Sequence, residues 1–319
     1  MKRYLLFRSI RAIVTVFIAV TVTFLILRVM PGDPTTAMLD SRMSEEAQQK
    51  LLSDFGLDKN LFAQYFIYLK QLFFNFDLGI SFVHREPVLN IIMARLPWTL
   101  VLMGTAVVIT TLIGIPLGVT AAYRKGKFID HVINALAIFG IAVFIPWLSV
   151  VLLYFFGYKI PLFPIGGAVD RELQGWSYIW SVTHHLILPV LTLTIIHLAN
   201  YVLYMRASMI DVLGEDYIRT ARAKGLRERT VVWRHAVRNA LLATVTMMGL
   251  QIGTIVGGAI LTETVFAYPG LGRLIYESVQ QHDYAVLQGT FLILAVTVVV
   301  VNIITDIVYI YLDPKIKAS

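Results

Sequence analysis

The chain has 319 residues, 57% of them hydrophobic and 15% charged, with a mean hydropathy of +0.72 and a formal net charge of +7. That composition belongs to the integral membrane class and excludes an ordinary soluble globule. Cysteine is absent, which excludes disulfides, thiolate metal sites and thiol nucleophiles.

A hydrocarbon core of about 30 Å needs roughly 20 apolar residues per helix, and the sequence predicts six such runs, at 10–29, 97–122, 132–156, 186–204, 240–261 and 288–311. A backbone in lipid must satisfy its own hydrogen bonds, so the expected fold is an all-α integral membrane protein with six transmembrane helices. Ahead of the first run stand Lys2, Arg3, Arg8 and Arg11, the charge pattern of a signal peptide. The stretch Arg28-Val29-Met30-Pro31 offers no small-x-small cleavage site, so the first helix reads as retained.

Between the first two runs lies a long connector, 30–95. Segment 44–55, with Ser44 as cap and Gly56 as stop, reads as an amphipathic helix, and the aromatic-rich 61–74 reads as a second. Such helices either lie at the interface or dock a soluble partner, or they simply cover the outer end of the bundle. No fixed-period repeat is present, and no soluble segment of core-forming size lies outside the runs. One domain, 1–319 with a core over 96–312, is the simplest division.

Basic residues set the orientation. With six spans, one side collects 17 Lys/Arg and 6 acids, the other 10 Lys/Arg and 13 acids. The positive-inside rule then places both termini and the segment 206–238 in the cytoplasm and the 30–95 loop outside. The net charge is therefore topological and gives no argument for nucleic acid.

Phosphate-binding motifs are missing. Gly126-Lys127 is followed by Phe128 and preceded by Ala121 where a phosphate loop needs glycine, and Gly270-Leu271-Gly272 lacks the third glycine at Ile275. No nucleotide cofactor is expected on this chain, and any ATP energy must arrive through a partner. His184, His185 and His197 do not make a metal centre. The first two are neighbours pointing about 100° apart on a helix, with no carboxylate at ligand spacing. No catalytic constellation is found either.

Polar residues inside the runs are costly in lipid and face the bundle interior or an aqueous path. His197, Asn200, Gln251, Asn302 and Asp306 are the candidates, either for helix-to-helix hydrogen bonding or for substrate contact. The small residues Gly249, Gly253, Gly257 and Gly258 favour the first reading, because they permit close helix approach. Asp306, the one embedded carboxylate, is expected to pair with a basic group near the cytoplasmic end.

The most distinctive segment is the charged island 214–225 between the fourth and fifth runs. With Asp216 as cap, Tyr217 to Lys224 gives about two helical turns, and Gly225 suits the left-handed residue that ends a helix. Ile218 and Ala221 share one face at i, i+3 spacing, while Arg219, Arg222 and Lys224 point elsewhere. A second helix runs from Thr230 into the fifth run. The expected result is a short surface helix whose small apolar face fits a groove in another protein.

The string Gly214-Glu215-Asp216-Tyr217-Ile218-Arg219-Thr220-Ala221-Arg222-Ala223-Lys224-Gly225-Leu226, followed by His235-Ala236-Val237-Arg238-Asn239-Ala240, resembles the cytoplasmic EAA loop of ABC importer permeases, in the dipeptide/oligopeptide/nickel branch. The same branch is resembled by Met30-Pro31-Gly32-Asp33-Pro34, Phe55-Gly56-Leu57-Asp58, Asp77-Leu78-Gly79, Leu261-Thr262-Glu263-Thr264-Val265-Phe266, Pro269-Gly270-Leu271-Gly272 and Asp313-Pro314. The resemblance implies the type I importer fold, in which two permease subunits form the pathway and each seats a coupling helix on a cytoplasmic ATPase. It implies that Glu215, Asp216, Tyr217, Ile218, Arg219, Thr220, Ala221, Arg222, Lys224 and Gly225 form that coupling segment.

Arg219-Thr220-Ala221 stands where many families show Glu-Ala-Ala, and Ala243 stands where the family commonly has proline. The implied partners are a second homologous permease, two ATP-binding subunits carrying ATP and Mg, an extracytoplasmic substrate-binding protein and membrane lipid. The implied location is the inner membrane. Peptide is the first expectation for the substrate, with oligosaccharide or nickel as the alternative. A reading of another class, an ATP-independent secondary transporter or channel, requires embedded ion or proton sites, for which the sequence offers only Asp306.

Overall fold

A computed structural model describes residues 2–29, 60–81, 83–170 and 173–312. The expected helix at 44–55 and the motif at 30–34 lie outside the described residues. Among those described, the structure is helical apart from turns and a single bridge between Ile80 and Pro87. The helices are α1 (Lys2–Val29), α2 (Leu61–Lys70, continued by a π-wound turn Gln71–Asn75), α3 (Val88–Tyr123), α4 (Phe128–Ala142) and α5 (Ile145–Leu152, continued by a π-wound turn Leu153–Lys159). They are followed by α6 (Trp176–Leu213), α7 (Asp216–Ala223), α8 (Glu228–Thr230), α9 (Val237–Val265), α10 (Leu271–Gln280) and α11 (Tyr284–Leu312).

Four of these helices contain stretches long and apolar enough to cross a membrane: Ile10–Arg28, Val88–Tyr123, Trp176–Leu213 and Tyr284–Thr305. A fifth span is formed if α4 and α5 are counted together. The run 132–156, read from the sequence as one helix, is broken in the structure. The chain bends by 102° between Phe128–Ala142 and Ile145–Lys159, with Val143 and Phe144 both extended (ψ 130° and 123°). Pro146 is the cause: it lacks the N–H that would bond the Ala142 carbonyl and its ring clashes with that carbonyl, so the helix ends at Ala142 and restarts with Pro146 in its first turn.

The chain divides into two compact units, one built around Trp98–Tyr268 and the other around Leu5–Pro97 and Pro269–Val299. In the first unit α6 is central. Two thirds of its most apolar stretch (67%) is buried, against 17% and 28% in the other three long helices. At 1.5 Å per residue its 38 residues span about 57 Å, well beyond the hydrocarbon thickness. Neighbours reach its backbone through glycine. A Cβ on Gly114 would stand 2.8 Å from that of Tyr201, and one on Gly118 would stand 2.6 Å from that of Met205.

Gly114-Ile115-Pro116-Leu117-Gly118 is thus the small-xxx-small seam that joins α3 to α6. Gly140 of α4 meets the Ile195 carbonyl at 3.0 Å in the same sense. The expectation of close approach at α9 holds for Gly258, which meets Ile145, Leu193 and His197. Among the described residues, a Cβ on Gly253 or Gly257 would meet nothing within 4 Å, and Gly249 lies outside the described side chains.

Near the end of α9, the fully buried Glu263 accepts a hydrogen bond from Thr99 at 2.7 Å, and its carbonyl receives the N–H of Tyr268 at 2.8 Å. The Tyr268 ring meets Trp98 edge-on at 5.9 Å. His184 donates to the Leu162 carbonyl and His185 to the Ser181 carbonyl, while Ser181 donates to Asp170. His184 and Ser181 thus tie Leu162 and Asp170 of the preceding connector to α6.

In the second unit Val20, Leu72 and Leu292 form a small core with Tyr68 and Leu78, and Thr21 shares a hydrogen bond of 2.7 Å with the Tyr65 hydroxyl. Asp283 caps α11 through the N–H of Val286 and also accepts from Ser81. Glu277 lies 2.6 Å from Arg273 and 3.7 Å from Arg95.

Candidate functional site

The island seen in the sequence becomes α7, an eight-residue helix held at both ends by its own backbone. Its N-cap is Glu215, not Asp216 as the sequence reading placed it. Glu215 is extended (φ −71°, ψ 148°) and its carbonyl receives the N–H groups of Ile218 and Arg219 at 3.1 and 3.3 Å. Asp216 is the first helical residue, where its carboxylate faces the positive end of the helix dipole. No side chain caps the N-terminus.

The other end is a Schellman closure. The Leu226 N–H bonds the Ala221 carbonyl at 3.4 Å and the Gly225 N–H bonds the Arg222 carbonyl at 2.9 Å. That pattern requires a left-handed residue between them, and Gly225 supplies it with φ +75°.

The apolar face does the opposite of what sequence reasoning expected. Ile218 is completely buried and Ala221 is 7% exposed, both packed into a cluster with Val119, Met205, Met209, Val231, Val232 and Ala236. The sequence placed this face against another protein because a short amphipathic helix read alone has no other surface to cover. In the fold, the end of α3, the end of α6 and the π-wound segment Val231–Ala236 provide that surface. Burying an isoleucine contributes about 1.5–3 kcal/mol, and an eight-residue helix has no stability of its own in water. The burial of Ile218 therefore holds α7 in place. What faces outward is Glu215, Asp216, Tyr217, Arg219, Thr220, Arg222 and Lys224, all exposed.

Two polar links tie α7 to the following helix. Arg222 forms a paired contact with Glu228, at 2.9 and 3.3 Å, and this partner raises the guanidinium above its ordinary pKa. Both side chains are more than a third exposed, so the pair contributes about 0–1 kcal/mol and acts chiefly by fixing the 224–227 turn. Asn239 donates to the Tyr217 hydroxyl at 2.9 Å and to the His235 carbonyl at 3.1 Å. The helix that leads into α9 begins at Glu228 and runs without a break through Val231–Ala236 into Val237–Val265.

An ion pair between α6 and α4 was not foreseen. Arg206 of α6 donates two hydrogen bonds to Asp130 of α4, at 2.7 and 2.8 Å. Asp130 is 2% exposed and also accepts from the Gly126 N–H at 2.9 Å and from Asn134 at 2.6 Å. The signal lay in the sequence: Asp130 is the single acid among Arg124, Lys125 and Lys127. Nothing local told which cation it would meet.

Of the candidate pathway residues, His197 is buried, and its Nε2 has no hydrogen-bond partner among the described residues. It lies instead where a Cβ on Gly258 would come within 3.4 Å. Asn200 and Asn302 are half-buried. The side chains of Gln251, Asp306 and Ala243 lie outside the described residues. The exposed residues of the segment 215–224 lie together on the short helix α7.

Long apolar helices, a central helix joined to its neighbours by glycine seams, and a charged helix clamped between two of them define a multi-pass membrane protein built around an outward-facing polar element. Residues 114–318 match the family model described as the binding-protein-dependent transport system inner membrane component, and residues 1–103 match the N-terminal model of the same family. The chain belongs to this family: it is a permease of the inner membrane.

It is 39% identical to the dipeptide transport system permease protein DppB of Escherichia coli (strain K12), over 97% of both chains. It is 37% identical to the oligopeptide transport system permease protein AppB of Bacillus subtilis (strain 168), over 99% of this chain and 100% of the relative. Among solved structures, a chain of the MetNI methionine ABC transporter in an inward-facing conformation shares the fold. The TM-score is 0.57 at 16% identity, with 70% of this chain and 96% of that chain covered.

Proposed function

We propose that the chain is one of two permease subunits of an ATP-driven, binding-protein-dependent importer of di- or oligopeptides, and that α7 is the element through which ATPase subunits drive it. The observation that supports this most is the two-sided construction of α7. Its apolar face is locked into the permease by Ile218 and Ala221, and its polar face is left open over consecutive turns. A helix held in this way transmits force in place of yielding to it.

The six-span topology read from the sequence, with both termini and 206–238 in the cytoplasm and 30–95 outside, fits this role. In it, α9 supplies the fifth span. ATP and Mg reside on two partner subunits, since no phosphate-binding motif exists here, and hydrolysis is theirs. A second homologous permease completes the pathway, and an extracytoplasmic binding protein delivers the cargo.

The coupling segment is Glu215, Asp216, Tyr217, Arg219, Thr220, Arg222 and Lys224 as contact surface, Ile218 and Ala221 as anchors and Gly225 as terminator. When the ATPases close, α7 moves with them. The Arg222–Glu228 and Tyr217–Asn239 links carry the movement into α9, and the buried cluster carries it into α3 and α6. Rigid elements with two discrete arrangements then alternate the pathway between its two sides. His197, Asn200, Gln251, Asn302 and Asp306 are assigned to helix packing near that pathway.

Peptide is preferred as cargo because the relatives over the full length are named for dipeptides and oligopeptides. The test is purification of the native complex from the membrane followed by uptake in reconstituted vesicles. Two ATP-binding subunits, a second permease and ATP-dependent uptake of labelled peptide are expected. Uptake of oligosaccharide or nickel in place of peptide would overturn the substrate, and transport by this chain alone without ATP would overturn the mechanism.

A further inference from the structure

Beside α7 lies a cavity of ≈ 250 Å³ lined by Val119, Thr120, Tyr123, Arg124, Glu228, Arg229, Val232 and Trp233. Its floor is apolar: Val119 and Val232 are 2% and 5% exposed and belong to the cluster that buries Ile218. Its rim is cationic and aromatic. Among the described residues, neither the Arg124 nor the Arg229 guanidinium forms an ion pair. The one carboxylate, Glu228, is already neutralised by Arg222 at 2.9 Å. The cavity therefore carries about two uncompensated positive charges over an apolar base. It is smaller than the roughly 300–1,000 Å³ of sites for drug-sized ligands, so it suits a small anionic group.

The surroundings indicate which anion. Tyr123 and Trp233 are 51% and 48% exposed at the mouth, and Phe128 is 80% exposed just beyond the turn. Exposed amphipathic aromatics at the end of a long apolar helix mark the membrane–water interface, and basic pockets between helices at that level hold lipid headgroups. We propose that this cavity binds the phosphate of an anionic phospholipid headgroup, with Arg124 and Arg229 as ligands, Tyr123 as a hydroxyl donor and Trp233 against the glycerol region. Because its floor is the surface on which Ile218 rests, an occupied site stiffens the α7 attachment. Its placement on the cytoplasmic leaflet rests on the topology proposed above.

The test uses the assembled complex in nanodiscs of phosphatidylcholine alone or mixed with phosphatidylglycerol, with retained lipid counted by native mass spectrometry. The wild-type chain is expected to keep one phosphatidylglycerol, and Arg124→Gln/Arg229→Gln is expected to weaken retention about 30-fold. That factor corresponds to about 1 kcal/mol for each arginine near an anionic surface. The Arg124→Lys/Arg229→Lys variant, which keeps the charge, should retain most of it.

Retention unchanged in the Gln variant overturns the site. Protection of Arg124 from phenylglyoxal by inorganic phosphate in phosphatidylcholine discs, without phosphatidylglycerol retention, assigns the anion to solution and overturns the lipid source. Loss of the ATP-binding subunits with lipid retention intact makes the arginines a protein contact and also overturns it. Retention is read on this chain whether or not ATPases co-purify, so failure of the site is distinguishable from failure of the coupling role.

Discussion

Ile218→Ala separates the anchoring role of α7 from its contact role. Ile218 is completely buried, and truncating a buried isoleucine to alanine costs about 2–5 kcal/mol. The loss falls on one short helix whose remaining attachments are Ala221, an exposed ion pair and the Tyr217–Asn239 bond. Even about 2 kcal/mol raises the population of detached α7 roughly 30-fold.

Trypsin cleaves after Arg219 and Arg222 only when the helix opens. Where opening and closing are fast, the cleavage rate follows that population. The full-length chain in nanodiscs is therefore expected to be cut at these sites roughly 30-fold faster in Ile218→Ala than in the wild type, taking the low end of that range. Arg222 is the readout for Arg219→Ala, whose side chain is 72% exposed and whose cost should stay within about 0.5 kcal/mol. Equal cleavage at Arg222 in wild type and Ile218→Ala, or an equal rise in Arg219→Ala, would refute the claim that burial of Ile218 holds α7.

Three further outcomes follow from the same geometry. Gly225→Val places a β-branched residue at φ +75°, at a cost of about 1–3 kcal/mol. ATPase activity stimulated by the loaded binding protein should fall, and unchanged stimulated activity in the assembled complex argues against the terminator role. Gly118→Leu drives a side chain into Met205 and the Val202 carbonyl, where even a Cβ stands at 2.6 and 2.9 Å. The variant should lose its monodisperse peak on size exclusion, whereas Gly253→Ala, with open space around it, should keep it. Asp130→Asn leaves Arg206 without its anion. Arg206 is 24% exposed, so the cost is near the low end of the 3–5 kcal/mol for a broken buried pair. The midpoint of thermal aggregation should drop, and Asp130→Asn/Arg206→Gln should recover part of it.

The sequence made the charged helix legible because its signals are local: Gly225 at the left-handed position, a lone charged stretch between two apolar runs, and i, i+3 spacing of Ile218 and Ala221. Which way that face points is not a local property. It depends on Val119, Met205 and Val232, which are distant along the chain and come together only in the fold. The break in the third run was readable from Pro146 but was masked by continuous hydrophobicity on both sides.

The seam Gly114-xxx-Gly118 was overlooked in favour of the glycines at 249–258, since spacing alone does not say which small residues meet another backbone. Asp130 and Arg206 are both visible as charges, yet their pairing is a tertiary fact. The single helix of 38 residues from Trp176 to Leu213 exceeds the apolar run of 186–204 because hydropathy marks what lipid covers and not where helical hydrogen bonding stops.

The contact role of α7 is tested most directly by cross-linking. The chain contains no cysteine, so Thr220→Cys introduces a single thiol on the exposed face. A short thiol-to-amine cross-linker applied to the assembled complex is expected to join Thr220→Cys to an ATP-binding subunit, with a yield that changes when ATP is added. Ala137→Cys, buried between helices, serves as the unreactive control. A Thr220→Cys chain that labels freely with maleimide in the intact, active complex and yields no cross-link to an ATP-binding subunit would contradict the assignment of α7 as the coupling helix.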